Sequence, residues 1–287
     1  MRWSSGDRSN IEDLRGRSGG GGGMIPLGIG GFIVVALLSM FTGVNFFDVL
    51  GGGSSSSTPN SSAVGTTGRT TASPAEEKMV DMVDAVARDD QEMWSKLLGD
   101  RYEPTRVVLF RDSINSACGY AGAATGPFYC PGDRKVYLDL GFYDELNRRF
   151  GAPGDFAQAY VLAHEIGHHV QTLMGTEGQM RQAQRSNPGS TNAMSVRLEL
   201  QADCYAGVWG HQASQSGRAA AGGVELDPGD MEEALRAAAA IGDDRLQKLG
   251  TGRVMPEKFT HGSSEQRVTW FKRGFDSGDP KACNTFQ

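Results

Sequence analysis

One long uncharged segment divides this chain and constrains its fold more than any other feature. Residues 24–47 contain no charged side chain and lie between two glycine runs. A helix needs about 20 apolar residues to cross the hydrocarbon core of a bilayer, so we expect residues 24–50 to form a transmembrane signal-anchor helix. A cleaved signal peptide and a buried core helix are the alternatives, and the length and flanks of the stretch favour the membrane span.

The charges beside this segment predict its orientation. Four arginines precede it and none follows shortly after, namely Arg2, Arg8, Arg15 and Arg17. By the positive-inside rule we expect a cytoplasmic N-terminus and a chain that crosses the cytoplasmic membrane once. The part of the chain after the span would then lie on the periplasmic or extracellular side. Residues 1–23 are polar and end in glycines, so we expect a disordered cytoplasmic stub. Residues 51–73 are rich in glycine and serine and predict a flexible linker.

Residues 74–287 carry the patterns of a folded domain. Strand-like runs come first, at 106–110, 128–130 and 135–140. Helical periodicity follows at 141–150, 155–174, 192–215, 228–247 and 263–275. Strands followed by helices predict an α+β fold with a small N-terminal sheet. The net charge of −6 gives no basic footprint, so we expect no nucleic-acid partner.

The helix predicted at 155–174 carries the sequence His164-Glu165-Ile166-Gly167-His168. Residues four apart on a helix share a face, so His164 and His168 point the same way one turn apart. Two imidazoles placed like this can share one tetrahedral zinc ion. Glu165, next to the first ligand, would act as general base on a metal-activated water.

A catalytic zinc needs a third protein ligand, and the next predicted helix offers one. Glu199 and Asp203 are four residues apart on it and share a face lined by small or apolar residues. Two such carboxylates repel one another unless a cation lies beside them. We therefore expect Glu199 to bind the zinc and Asp203 to hold the ring of His164. An ordinary solvated helix face is the alternative.

The four cysteines are Cys118, Cys130, Cys204 and Cys283. If the domain faces an oxidising compartment, two disulfides can persist. Cys118 and Cys130 flank a Gly/Ala-rich loop that they could close, and Cys204 and Cys283 would then tie the C-terminal tail to the helix of Glu199. Four free thiols are the alternative, and the sequence leaves the connectivity open.

The two zinc motifs resemble those of the gluzincins, the thermolysin-like zinc peptidases. The whole chain more closely resembles the putative neutral zinc metallopeptidase family (YpfJ-like) of bacteria. The stretches that carry this likeness include Gly126 through Pro131, Val136 through Asp139, Gly154 through Gln158, Glu199 through Gly210, Ala240 through Arg245 and Trp270 through Phe275. The resemblance implies a zincin-like domain with an active-site helix and one zinc per chain.

A later stretch, Thr260-His261-Gly262 with Arg267 beyond it, is similar to the Thr-His-Pro…Arg stretch of HtpX-like membrane peptidases. That likeness implies that His261 lies across the cleft from the metal. His261 is therefore our candidate catalytic donor to the oxyanion of peptide hydrolysis, and Arg267 could orient that region or act as a substrate-binding residue that holds a substrate carbonyl. A loop histidine and a surface arginine with structural roles are the alternatives.

These residues together predict a membrane-anchored zinc metalloendopeptidase that acts on peptides or proteins. One alternative is a non-catalytic zinc-containing module that binds an envelope component, and another is a zinc amidase acting on cell-wall peptides. Glu165 favours a catalytic site over a binding module, because a purely structural zinc has no need of a general base.

Overall fold

The computed structural model describes residues 1–16, 72–122 and 125–286. Within these ranges the chain forms eight α-helices: α1 (Pro74–Leu98), α2 (Gly141–Arg148), α3 (Asp155–Leu173), α4 (Thr176–Ser186), α5 (Thr191–Ala213), α6 (Asp230–Ala240), α7 (Asp243–Thr251) and α8 (Ser264–Ser277). The strands are β1 (Ile11–Asp13), β2 (Arg106–Phe110), β3 (Ser113–Ser116), β4 (Gly119–Gly122), β5 (Phe128–Cys130) and β6 (Lys135–Asp139).

Four of the strands form one mixed sheet in the order β1-β2-β6-β5. β1, β2 and β6 run parallel, and β5 pairs antiparallel with β6. β3 and β4 form a separate hairpin. The fold is thus α+β, mostly helical with a small sheet, as the order of sequence patterns predicts.

The helix α3 lies at the centre of the core and packs against α1, α5 and α6. Its side chains Phe156, Tyr160 and Ile166 are completely buried. The helices α5 and α8 make the most extensive contact between any two elements described. Gly274 allows this approach, because a Cβ atom there would lie 1.9 Å from the carbonyl oxygen of Cys204.

One predicted helix is divided in the structure. Residues 228–247 form the two helices α6 and α7, because the chain turns at Ile241 and Gly242. Gly242 is the N-cap of α7 and has an extended conformation with φ −70° and ψ 143°. The turn places Asp243 at the start of α7, where its carboxylate reaches the loop of His261.

The N-terminal segment corrects an expectation. Residues 1–16 are not a disordered stub, because β1 adds to the edge of β2 with Ile11 opposite Val107. Arg8 and Arg15 form ion pairs with carboxylates of α1, those of Glu77, Asp81 and Glu76. Backbone pairing, the packing of Met1, Trp3 and Ile11 against the core, and these ion pairs together order the segment.

This docking also overturns the expected membrane topology. Residues 11–13 and 106–110 belong to one sheet, so they lie on the same side of any membrane. The predicted single-pass arrangement, with the N-terminus inside and the domain outside, is therefore wrong. In the parts of the chain that the structure describes, no helix has both the length and the hydropathy to cross a bilayer. The segment predicted as a transmembrane helix at 24–50 lies outside the described residues, as do linker residues 51–71.

Candidate functional site

The site lies between α3 and α5, which cross closely. Gly167 on α3 allows the approach, since a Cβ atom there would lie 3.2 Å from both the Cα and the carbonyl oxygen of Ala202. His164 and His168 on α3 thereby face Glu199 on α5. The structure brings together the three residues that the sequence predicts as metal ligands.

The candidate ligand atoms form a compact triangle. His164 Nε2 lies 3.2 Å from His168 Nε2 and 3.2 Å from Glu199 Oε2. His168 Nε2 lies 3.6 Å from Glu199 Oε1. Tetrahedral zinc with bonds of about 2.0–2.1 Å places neighbouring ligand atoms about 3.3 Å apart. The spacing of these three residues therefore fits a zinc ion.

The hydrogen bonds on the far side of each ring fit a metal as well. His164 Nδ1 lies 2.9 Å from Asp203 Oδ1, and His168 Nδ1 lies 2.9 Å from Gln171 Oε1. Both partners are acceptors, so each Nδ1 carries a proton and each Nε2 faces the ligand triangle. A metal ion bound there would take the Nε2 lone pair of each ring, while the Nδ1 partner holds that ring in place.

Asp203 is fully buried and its carboxylate is saturated with donors. It accepts from Tyr160 Oη at 2.5 Å, from Arg267 Nε at 2.9 Å and from Arg267 Nη2 at 2.8 Å, besides His164. Burial alone would raise the pKa of Asp203, but Arg267 and His164 outweigh it and lower the pKa. Asp203 thus stays ionised and holds the ring of His164 in place.

Arg267 does not lie where a substrate-binding residue would. Its side chain is 3% exposed, and its guanidinium is directed at Asp203 and at the carbonyl oxygen of Ile241. These contacts fit the first of its two expected roles, orienting this region of the fold, rather than contact with a substrate carbonyl. Its charge instead balances that of Asp203.

Glu165 is buried beside the ligands and is 8% exposed. Burial raises the pKa of its carboxyl, while a backbone hydrogen bond from Tyr129 acts in the opposite direction. Tyr129 is the middle residue of β5, which has only β6 as a neighbour in the described sheet. Glu165 therefore lies between the ligand triangle and an edge strand.

His261 lies in the loop before α8. Its Nδ1 is 2.9 Å from Thr260 Oγ1 and 3.3 Å from Asp243 Oδ1. Asp243 also accepts the backbone N–H groups of residues 260, 261 and 262. Burial lowers the pKa of His261, but Glu199 and Asp243 outweigh it and raise the pKa. The charge of Glu199 thus acts on this ring. Asp243 contacts Nδ1, so Nε2 is the ring nitrogen that Asp243 does not engage.

Three residues of the site escaped sequence reasoning: Tyr160, Gln171 and Asp243. Tyr160 and Gln171 lie four residues before His164 and three after His168, so helical spacing could have placed both on the histidine face. Asp243 opens α7, where its function depends on the fold of a loop about 18 residues later.

Two disulfides are formed, and they confirm the favoured pairing. Cys118 bonds to Cys130, and Cys204 bonds to Cys283. The second joins the C-terminal tail to α5 one residue after Asp203.

Comparisons with known proteins give a family model and several relatives. The family model described as "Putative neutral zinc metallopeptidase" matches residues 1–286. The uncharacterized protein YpfJ of Escherichia coli strain K12 is 44% identical over 298 residues, covering 100% of this chain and 99% of that protein. The uncharacterized protein Mb2605 of Mycobacterium bovis is 46% identical over 198 residues, covering 68% of this chain and 66% of that protein.

No solved structure matched, so the expected zincin-like fold has no support from that comparison. The family model spans nearly the entire chain, and its description implies zinc. This chain belongs to the putative neutral zinc metallopeptidase family.

Proposed function

We propose that this protein is a zinc endopeptidase in which His164, His168 and Glu199 hold one zinc ion per chain. The observation that carries the proposal is the triangle of ligand atoms, in which two imidazole lone pairs and a carboxylate converge at distances of 3.2–3.6 Å. Bound there, zinc supplies a Lewis acid that polarises a carbonyl group and lowers the pKa of water.

The charges around the triangle favour a divalent cation. Arg267 balances Asp203, and His261 with three backbone N–H groups holds Asp243, so Glu199 and Glu165 are the carboxylates beside the triangle that a metal ion would balance. Placing one divalent ion among them leaves the buried site close to neutral. Buried charges are otherwise costly, and this balance supports a resident metal over a solvated cluster of acids.

Glu165 is our proposed general base. Its raised pKa brings the carboxyl closer to the pH at which a base can both accept a proton and release it. Glu165 takes the proton from the water that attacks the peptide carbonyl and delivers it to the leaving amine. His261, whose Nε2 is not engaged by Asp243, donates to the oxyanion that forms.

The edge strand β5 gives a substrate a place to bind. An extended peptide can add to a sheet edge through backbone hydrogen bonds, and β5 passes beside Glu165 at Tyr129. Such binding recognises the backbone of the substrate and needs no free chain terminus. It therefore favours cleavage within a peptide.

The test compares the full-length protein with Glu165→Gln, because residues 1–16 belong to the fold. Both are loaded with zinc and incubated with a mixed peptide library, and the products are identified by mass spectrometry. We expect internal cleavage by the wild type, and a rate roughly 10²- to 10⁴-fold lower for the variant at equal zinc content. Equal zinc content with no cleavage by either protein would instead indicate a non-catalytic zinc module.

A further inference from the structure

The side chain that orients His168 belongs to a buried chain of amides that leads away from the metal centre. We propose that Gln171 and Gln201 form a hydrogen-bond relay that fixes the ring of His168 and is anchored at the disulfide-bonded C-terminal tail. Gln171 and Gln201 are positioning residues that act through His168. The inference rests on the proposed metal site and extends it to the tail of the protein.

The relay consists of three consecutive hydrogen bonds. His168 Nδ1 lies 2.9 Å from Gln171 Oε1. Gln171 Nε2 donates to Gln201 Oε1 at 3.1 Å and also to the carbonyl oxygen of Leu198 at 2.7 Å. Gln201 Nε2 donates to the carbonyl oxygen of Cys283 at 3.0 Å.

The direction of every bond follows from the two backbone carbonyls, which can only accept. Cys283 O requires the amide nitrogen of Gln201, so Gln201 turns its oxygen toward Gln171. Leu198 O and this oxygen both require the nitrogen of Gln171, so Gln171 turns its own oxygen toward His168. That oxygen requires a proton on Nδ1, which leaves the Nε2 lone pair for the metal.

Burial prevents the relay from reversing. Gln171 is 1% exposed and Gln201 is 6% exposed, so water cannot easily replace a lost partner. Flipping either amide would set a nitrogen against a nitrogen, or an oxygen against a backbone carbonyl, and each buried unpaired group costs about 1–3 kcal/mol. One tautomer and one orientation of His168 therefore result.

The far end of the relay is held by the tail. Cys283 is fully buried and is bonded to Cys204 on α5. Thr285 Oγ1 donates to the carbonyl oxygen of Arg197 on the same helix at 2.6 Å. The tail thus completes the outer support of His168, whereas His164 is supported by the charged residues Asp203 and Arg267.

The experiment measures zinc affinity by competition with a chelator, using the full-length protein. Gln171→Met removes the acceptor at His168, Gln201→Met breaks the relay one step away, and the double variant Cys204→Ala/Cys283→Ala releases the tail. Gln91→Met is the matched control. Gln91 is also a buried amide, accepting from Thr105 N and donating to Asn10 Oδ1. The proton on Nδ1 of His168 is followed by NMR in the zinc-loaded protein.

We expect Gln171→Met to weaken zinc binding by about 10- to 100-fold, as loss of a partner of a ligating histidine commonly does. The zinc affinities of Gln201→Met and of the cysteine variant should lie between those of Gln171→Met and the wild type. In each variant the Nδ1 proton signal of His168 should be shifted or broadened. Gln91→Met should lose stability and keep wild-type zinc affinity and an unchanged proton signal.

Three results with the variants would overturn the relay. Wild-type zinc affinity in both glutamine variants shows that His168 needs no such support, and loss confined to Gln171→Met shows that nothing passes beyond Gln171. Equal zinc loss in Gln91→Met shows a general effect of instability. All of these readouts are independent of peptide cleavage, so they test the relay even in a protein that binds zinc and cleaves no peptide. A wild type that takes up no zinc overturns both proposals.

Discussion

Arg267 and Asp203 form a two-pronged ion pair behind the candidate metal centre, with Nε–Oδ2 at 2.9 Å and Nη2–Oδ1 at 2.8 Å. The planar guanidinium fork matches both carboxylate oxygens, while the same carboxylate holds the ring of His164. A cation contributed by α8 thus stabilises a carboxylate of α5 that orients a histidine of α3. The relationship links three helices that are far apart in the sequence.

Replacing Arg267 should reveal this coupling. Arg267→Met leaves Asp203 buried without its counter-charge, so we expect the free energy of unfolding to fall by about 3–5 kcal/mol. The free energy of unfolding should fall less in Arg267→Lys, because one ammonium group can keep the charge but not both hydrogen bonds. Denaturant unfolding and zinc competition would measure both effects. The exposed Arg236→Met serves as control, and a stable, zinc-retaining Arg267→Met would contradict the coupling.

The docking of the N-terminal segment predicts a second outcome. Deleting residues 1–16 uncovers the edge of β2, so we expect lower stability and self-association. The variant Arg8→Ala keeps the strand and should lose less stability, because its partly exposed ion pairs with Glu77 and Asp81 contribute roughly 0–1 kcal/mol each. Denaturant unfolding and size-exclusion chromatography distinguish these cases. A deletion variant as stable and monomeric as the full chain would show that β1 is dispensable.

Gly167 tests the close crossing of α3 and α5. A valine there would force its branched side chain against the backbone of Ala202, so the helices must separate and the ligand triangle must widen. We expect Gly167→Val to lose about 1–3 kcal/mol of stability and much of its zinc affinity. Gly178→Val on α4 is the control, since a Cβ atom there meets nothing within 4 Å. Unchanged zinc binding in Gly167→Val would argue against a close-crossing requirement.

His261 tests the proposed oxyanion donor. His261→Ala should lower kcat by roughly 10²- to 10³-fold while zinc affinity stays near that of the wild type. Steady-state kinetics on a peptide found in the library experiment would give kcat and KM separately. Loss of zinc in this variant would assign His261 to the support of the metal, and an unchanged kcat would remove it from the reaction.

Local spacing made the centre of the site predictable. The pairs His164 with His168 and Glu199 with Asp203 each lie four residues apart on a helix, and such pairs share a face wherever the helix is placed. The structure brings both pairs together as the motifs predict. The disulfide between Cys204 and Cys283 likewise follows the favoured pairing.

The predictions that were wrong concern features that depend on contacts between distant parts of the chain. Residues 1–16 look too polar to fold, yet Ile11 pairs with Val107. The uncharged stretch at 24–47 favours a membrane span by local hydropathy, but that pairing excludes the predicted topology. Arg267 looks like a surface residue in a helical pattern, and only the packing of α8 on α5 shows that it is buried. Local patterns do not contain these tertiary contacts.

X-ray absorption spectroscopy at the zinc edge of the purified full-length protein would identify the atoms bound to the metal. We expect one zinc per chain, with nitrogen and oxygen ligands at about 2.0–2.2 Å that include two imidazoles. We expect no sulfur ligand, because the four cysteines are used in disulfides. A folded protein without zinc, or a shell containing sulfur at about 2.3 Å, would contradict the assignment of His164, His168 and Glu199 as the metal ligands.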